Sequence, residues 1–219
     1  LLVDLDPQAN ATAGLGIRLP EDHLNLYHMM IDDKHPESAI KKASLLGFDV
    51  LPSAANLAGA SVELVSMPER EYRLKKTLDK IRTNYDYILI DSPPSLGLLT
   101  VNGLVAAEQV VIPVQCEYYA LEGLTQLLGT IDLVRQSLNP ELKIMGALLT
   151  MYDKRITLAR QVVEEVRKNF PGHVFESVIP RSVSLAEAPS FGKTILEFDS
   201  KSNGAEAYRK LADEILAMA

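Results

Sequence analysis

Leu1-Leu2-Val3-Asp4-Leu5-Asp6-Pro7-Gln8 opens the sequence, and how this stretch is read decides the fold. A short aliphatic run closed by acids and a proline describes a strand covered on both faces, because a half-exposed strand would alternate polar and apolar residues. Runs of the same kind recur at Phe48–Leu51, Tyr87–Ile90, Val110–Val114, Ile144–Leu149 and Val174–Ile179. Helical spacing fills the intervals. Glu69–Arg82 carries Tyr72, Leu74, Leu78 and Ile81 among nine charges, and Leu121, Leu124, Leu127, Leu128, Ile131 and Val134 form one stripe. Ile156–Phe170 and Ala205–Met218 follow the same spacing. Strand alternating with helix predicts an α/β fold, a mostly parallel sheet with helices on both faces. Neither a repeat nor a Pro/Gly-rich linker interrupts the chain, so one domain over residues 1–219 is expected.

Composition narrows the class. The chain has 219 residues, 47% hydrophobic and 23% charged, which suits a globular protein with a sizeable core rather than a disordered one. No run of about 18 apolar residues suggests a membrane span, and no basic-then-apolar leader opens the chain. A single cysteine, Cys116, rules out an internal disulfide and a multi-cysteine cluster, and points to a reducing cytoplasm. The net charge of −7 lies wholly in residues 1–149, with 19 acids and 12 bases, whereas residues 150–219 hold 10 of each. That balance argues against a surface coated for nucleic acid, yet leaves room for a local basic patch in the last third.

In a parallel sheet the working residues sit at the carboxyl ends of the strands. Those ends read Asp4-Leu5-Asp6-Pro7-Gln8, Asp91-Ser92-Pro93-Pro94, Gln115-Cys116-Glu117-Tyr118-Tyr119, Thr150-Met151-Tyr152-Asp153 and Pro180-Arg181-Ser182. Asp4, Asp6 and Asp91 are expected to converge on one edge. Clustered carboxylates repel unless a cation or a proton offsets the charge, and oxygen ligands suit Mg²⁺. The competing reading is that these acids only cap the helices that follow.

The long motifs carry a resemblance. Leu2-Val3-Asp4-Leu5-Asp6-Pro7-Gln8-Ala9-Asn10-Ala11-Thr12 and Ile90-Asp91-Ser92-Pro93-Pro94-Ser95 resemble the deviant Walker ATPases of the ParA/MinD group. Glu117-Tyr118-Tyr119-Ala120-Leu121-Glu122-Gly123 and Leu185-Ala186-Glu187-Ala188-Pro189-Ser190-Phe191-Gly192-Lys193 narrow it to the small partitioning ParA proteins, often called Soj. The resemblance runs almost from end to end. It implies a P-loop NTPase-like fold, ATP and Mg²⁺ as cofactors, and an ATP-dependent homodimer that binds DNA non-specifically. It also implies hydrolysis stimulated by a ParB-type centromere-binding partner, and a cytoplasmic, nucleoid-associated location. By the same resemblance Asp6 corresponds to the catalytic acid that places the attacking water and shares the metal shell. Asp91 corresponds to the Walker-B aspartate that holds Mg²⁺ through water. Pro180, Arg181 and Ser182, bordered by Met151, correspond to the stretch against the adenine. Arg155 corresponds to a DNA-contacting arginine, and Lys154 and Lys193 join it in the expected basic patch.

Two departures from the family pattern stand out. The phosphate-cradling loop KGGxGK[ST] is not found: Gly14 and Gly16 have no lysine after them, and Gly192-Lys193-Thr194 belongs to the Phe-Gly-Lys motif. A first strand–P-loop–helix unit of roughly thirty residues is thus expected to be missing. Either the natural protein carries that unit ahead of Leu1 or the protein has lost ATP chemistry. The absence of an initiator Met and the retention of Asp6 and Asp91 favour truncation. The second departure is Ser184, which stands where the family often has another DNA-contacting arginine. Arg155, Arg181, Lys154, Lys193, Lys201, Arg209 and Lys210 remain for a patch, since phosphate contact needs only suitably placed positive charge.

Smaller signals point to ordinary structural roles. His23, His28 and His35 do not repeat on one helical face and are read as surface or half-buried histidines rather than ligands. Cys116 is read as core rather than nucleophile, and Tyr118 and Tyr119 as packing residues. A nucleotide-free scaffold of the same fold is the alternative function. MinD-like membrane attachment is disfavoured because Leu211–Ala219 has no basic amphipathic face. A phospho-accepting receiver domain fails on the long motifs, and a nitrogenase-type iron protein on cysteine count.

Overall fold

A computed structural model of the chain describes residues 1–20, 22–43, 47–118 and 120–218. Tyr119, part of one motif quoted above, lies outside the described residues, as does Ala219. The chain divides into two compact units, residues 1–108 with 133–142, and residues 109–132 with 143–219.

The first unit is built on the sheet β2-β3-β1-β4, formed by β1 (Leu2–Asp4), β2 (Lys41–Lys42), β3 (Asp49–Leu51) and β4 (Leu89–Asp91). The aliphatic run at the start is central here. β1 pairs in parallel with β3, Leu2 opposite Val50 and Val3 opposite Leu51, and with β4, Leu2 opposite Leu89 and Asp4 opposite Asp91. The two-residue β2 adds antiparallel to β3, and its lysines blunt that edge. Around the sheet lie α1 (Asn10–Gly14), α2 (Leu26–Ile31), α3 (Leu57–Glu63), α4 (Arg73–Asp79) and α5 (Leu98–Ala106). Val3, Leu5, Leu26, Met29, Met30, Leu51, Leu57, Leu64, Leu74 and Ile81 are fully buried in one core, each contributing about 1.5–3 kcal/mol by leaving water.

One buried polar side chain ties the helices of this unit together. Asn102, fully buried on α5, accepts the Leu74 amide at 3.1 Å and donates to the carbonyls of Arg70 at 2.8 Å and Leu98 at 2.9 Å. Both its N–H donors and its carbonyl oxygen have partners, as an interior amide requires.

Two details depart from the sequence reading. The helical stretch 69–82 is broken into a 3₁₀ turn at Arg70–Tyr72, α4, and a second 3₁₀ turn at Arg82–Asn84. Glu69 sits at φ 51°, a left-handed conformation that cannot propagate a helix, so the periodicity there belongs to α4 and its flanks. The run Tyr87–Ile90 is not covered all round either: Leu89 is 64% and Tyr87 51% exposed. Among the described residues β4 has a single hydrogen-bonded neighbour, which leaves its other flank open.

The second unit carries the parallel sheet β5-β6-β7, made of β5 (Gln109–Gln115), β6 (Lys143–Tyr152) and β7 (Val174–Pro180). Its helical elements are α7 (Thr157–Asn169), α8 (Val183–Glu187), α9 (Ile195–Phe198), α10 (Asn203–Met218) and the opening part of α6 (Ala120–Ser137). Fully buried Phe175 packs with Leu148, Ile179 and Leu211. β6 advances two residues, from Ala147 to Leu149, while β7 advances four, from Val174 to Val178. The resulting bulge leaves the amides of Glu176 and Ser177 without ladder partners. The Glu214 carboxylate on α10 accepts both, at 2.8 and 2.9 Å.

Gly204 explains why α10 enters as it does. A Cβ there would lie 2.7 Å from Leu185 Cγ and 2.9 Å from its Cδ1, so the absent side chain lets α8 and α10 touch. Among the described residues no helix is long and apolar enough to cross a membrane.

Candidate functional site

The three carboxylates do meet at one sheet edge, and the structure separates their work. Asp4 turns inward and is fully buried. Its Oδ2 accepts the Thr12 amide at 2.8 Å and the Thr12 hydroxyl at 2.6 Å, and its Oδ1 accepts the Asp6 amide at 3.2 Å. The Thr12 hydroxyl in turn accepts the Ser53 amide at 3.0 Å, and the Ser53 hydroxyl donates to the Asp6 carbonyl at 2.7 Å. This relay binds the β1–α1 loop to the segment after β3 and holds Ala9 at φ 53°, a conformation that costs a non-glycine residue about 1 kcal/mol. Asp4 is therefore the organiser of the edge. Its neighbours stay nearer the solvent, Asp6 half-buried and Asp91 exposed.

Asp6 is half-buried, and its Oδ1 accepts the Gln8 amide at 2.9 Å, which fixes the carboxylate at the mouth of the turn. Asp91 stands opposite Asp4 in the register and is exposed at the strand end. Desolvation by the surrounding protein, then the negative charges of Asp4 and Asp6, hold its carboxyl above the usual carboxylate range. A cation beside Asp91 reverses both effects. Among the described residues no group of three or more His, Cys, Asp or Glu side chains is placed to hold a metal ion. One or two carboxylates at an open edge suit Mg²⁺, which keeps most of its waters and shares phosphate oxygens, better than an ion that needs a full protein cage.

The loop after β4 is held from α5. The Thr100 hydroxyl donates to the Ser95 carbonyl and, at 3.5 Å, to that of Pro93. A Cβ on Gly103 would come 2.8 Å from Ser92 Oγ and 3.2 Å from Leu5 Cδ2, so this glycine lets α5 press against the acidic edge.

Within the second unit a cleft of about 690 Å³ opens where β5 and β6 end, lined by Cys116, Glu117, Leu124, Met151, Ile156 and Arg181 among others. Two of the four residues expected at the nucleotide, Met151 and Arg181, share this cleft. Pro180 is the last residue of β7 and lines a separate hollow with Asn203 and Lys210, while Ser182 precedes α8. Met151 adopts φ 54°, an outlier for a bulky side chain of the kind that gathers at ligand sites. Arg181 is tied to β6 by its amide, 2.9 Å from the Tyr152 carbonyl, and its guanidinium donates to Glu117 across the cleft mouth. Cys116 is buried on the cleft floor, and burial pushes its thiol up, in keeping with a packing rather than a nucleophilic role. Tyr118, by contrast, is 71% exposed.

The basic residues occupy separate loops of the same unit. Lys154 and Arg155 lie in the turn after β6, both exposed, and Lys193 follows Gly192 at the end of the 3₁₀ turn Ala188–Phe191. Arg155 is 83% exposed at its side chain and clamped by Asp153, with Nε–Oδ1 at 2.9 Å, Nε–Oδ2 at 3.2 Å and Nη2–Oδ2 at 2.6 Å. Besides Arg181, held by Glu117, two of the other bases are engaged, Lys210 with Glu206 at 2.8 Å and Arg209 with the Ser200 carbonyl at 2.7 Å. Ser184 donates weakly to Asp199 Oδ2, 3.4 Å away.

A mostly parallel α/β architecture with carboxylates at the strand ends defines a P-loop NTPase fold of the ParA/MinD type, and solved structures similar to it agree. A structure of cobyrinic acid a,c-diamide synthase from Mycobacterium smegmatis with bound ADP and magnesium superposes with TM-score 0.84 at 40% identity, covering 98% of this chain and 80% of that one. Apo McdA from Cyanothece superposes with TM-score 0.88 at 20% identity, covering 98% and 86%. A family model for an AAA domain matches residues 1–144. The sporulation initiation inhibitor protein Soj of Bacillus subtilis is 54% identical over 217 residues, 99% of this chain and 86% of Soj. The chromosome partitioning protein ParA of Myxococcus xanthus is 52% identical over 216 residues, 99% of this chain and 76% of that protein. The chain belongs to the ParA/Soj family of chromosome-partitioning ATPases.

Proposed function

We propose that the protein works as a ParA-type partitioning ATPase, which binds ATP with Mg²⁺ as a homodimer, contacts DNA without sequence preference and is stimulated by a ParB-type centromere-binding partner at the nucleoid. Residues 1–219 act as one ParA-like domain in this reading. The observation that carries it is the acidic edge, where Asp4 organises the loop and leaves Asp6 and Asp91 facing outward with their charges uncompensated. The diamide synthase from Mycobacterium smegmatis is 40% identical and the partitioning proteins from Bacillus and Myxococcus 54% and 52%, so partitioning takes precedence over amide synthesis.

The chemistry asked of these residues is positioning and electrostatics. Mg²⁺ with ATP supplies an electrophilic phosphoryl group when bound. Asp91 would hold the Mg²⁺ through water. Asp6, pinned through Oδ1, orients the attacking water and takes its proton on Oδ2. Met151 and Arg181 border the base, with Pro180 and Ser182 framing the turn behind them. Arg155, with Lys154 and Lys193, meets the DNA backbone. A Gly- and Lys-rich phosphate cradle is not among the 219 residues, so this chain's own share of the site is its metal- and water-handling edge.

The test is Asp6→Ala in the full-length gene product. ATP binding is expected to persist, turnover to stop, and the dimer to stay on DNA. Unchanged hydrolysis would remove Asp6 from the reaction, and absence of ATP binding by the unsubstituted protein would favour a nucleotide-free scaffold.

A further inference from the structure

The turn between β6 and α7 is organised by one carboxylate. Asp153 is only 11% exposed at its side chain. Its Oδ1 accepts the Arg155 amide at 3.0 Å, and its carbonyl accepts the Ile156 amide at 3.0 Å. The same carboxylate then grips the Arg155 side chain through Nε and Nη2. A guanidinium has five N–H donors in a rigid plane. Asp153 engages the edge made by Nε and one Nη2 hydrogen. The opposite edge, both Nη1 hydrogens and the remaining one on Nη2, faces outward on a side chain that is 83% exposed.

We propose that Asp153 is a positioning residue that presents the outer guanidinium edge of Arg155 to a nucleic-acid phosphate. The inference rests on the reading that Arg155 meets the DNA backbone. A phosphate recognises a guanidinium best as a two-pronged fork, and a free arginine must give up most of its rotamer freedom to offer one. Here the carboxylate has already fixed the plane. Simple charge counting predicts the opposite, since an acid beside the contact repels the polyanion and its removal should tighten binding. The two accounts differ in sign, which makes them separable.

The experiment is a double-mutant cycle in the full-length gene product. Affinity for a double-stranded DNA of arbitrary sequence is read by fluorescence anisotropy over a salt series, with thermal melting of each variant as a folding control. Asp153→Ala is expected to weaken binding about three- to tenfold despite the gain of one unit of positive charge. Asp153→Asn, which keeps an acceptor for the Arg155 amide and so preserves the turn, is expected to weaken it less, and it carries the cycle should the alanine variant fold poorly. In an Arg155→Ala background neither change is expected to weaken binding, and loss of the acid should tighten it slightly. Tighter binding by the Asp153 variants with Arg155 intact would overturn positioning and make Asp153 an electrostatic brake. An Arg155→Ala protein with unchanged affinity and salt slope would instead overturn the DNA reading on which the inference stands.

Discussion

Asp4 Oδ2 receives two donors from a single residue, the amide and the hydroxyl of Thr12, at 2.8 and 2.6 Å. Eight positions separate the two in sequence, and the bond closes the loop that carries Asp6. Asp4→Ala would leave both Thr12 donors and the Asp6 amide without their acceptor in a buried site. We expect a loss of about 3 kcal/mol or more, read as a lower urea midpoint. Thr12→Val strands the Ser53 amide and removes one donor from Asp4, with an expected loss of about 1–3 kcal/mol. Little change in either midpoint would show that the relay does not hold the edge.

Asp91 predicts a trade of stability against activity. Its carboxyl is held above its ordinary value, first by desolvation and then by Asp4 and Asp6. A raised carboxyl is disfavoured when ionised, so its penalty is absent below the unfolded value and present in full above the folded one. Asp91→Asn removes that penalty at neutral pH, and we expect an unchanged or higher melting temperature. ATP turnover should fall at least about tenfold. A clear drop in melting temperature would contradict the assignment.

The Asp153–Arg155 clamp makes an acid-range prediction. The Arg155 guanidinium holds the Asp153 carboxyl down at about 2. A depressed carboxyl stabilises the fold fully above its unfolded value, and that contribution is lost as pH falls through the folded one. Carboxyl NMR should place the Asp153 midpoint near 2 and move it toward about 3.9 in Arg155→Ala. The same variant should show a flatter loss of stability between those two pH values. An unmoved midpoint would mean that the ion pair does not form in solution.

Gly204→Ala sets helix propensity against packing. Alanine gains up to about 1 kcal/mol in a helix, but its Cβ would meet Leu185 Cγ at 2.7 Å, and overpacking costs about 1–3 kcal/mol. Net destabilisation is expected in chemical denaturation, with partial recovery on adding Leu185→Ala. A stabilised Gly204→Ala variant would show that α8 yields freely.

Much of this fold is legible in the residues alone, because strands buried among parallel neighbours leave unbroken aliphatic runs. Leu1–Leu5 and Ile144–Leu149 became strands with a neighbour on each side. Val110–Val114 became β5, an edge strand of its sheet among the described residues with buried and more open positions mixed, and the stripe from Leu121 to Val134 became α6. Elements whose logic is not periodic were missed. α5 is apolar nearly all round, so Leu98–Ala106 shows no face. β2 is two lysines whose pairing depends on a strand eight residues away. At the site, the strand-end acids could be found by position, but nothing in the sequence distinguishes an aspartate that points inward from one that points outward. Asp4 and Asp6 look alike until Thr12 and Ser53 are folded around the first. The left-handed Met151 was equally hidden, since that conformation is imposed by the turn rather than preferred by the side chain.

The Glu214 carboxylate seated in the β7 bulge has a mechanical consequence. Packed helices often slide over a sheet by small shear steps when a protein changes state. Sliding α10 along β7 would tear one carboxylate from two amides at once and leave the amide of buried Ser177 without its acceptor. Helix and strand are thus keyed at a single tooth and must travel as one body.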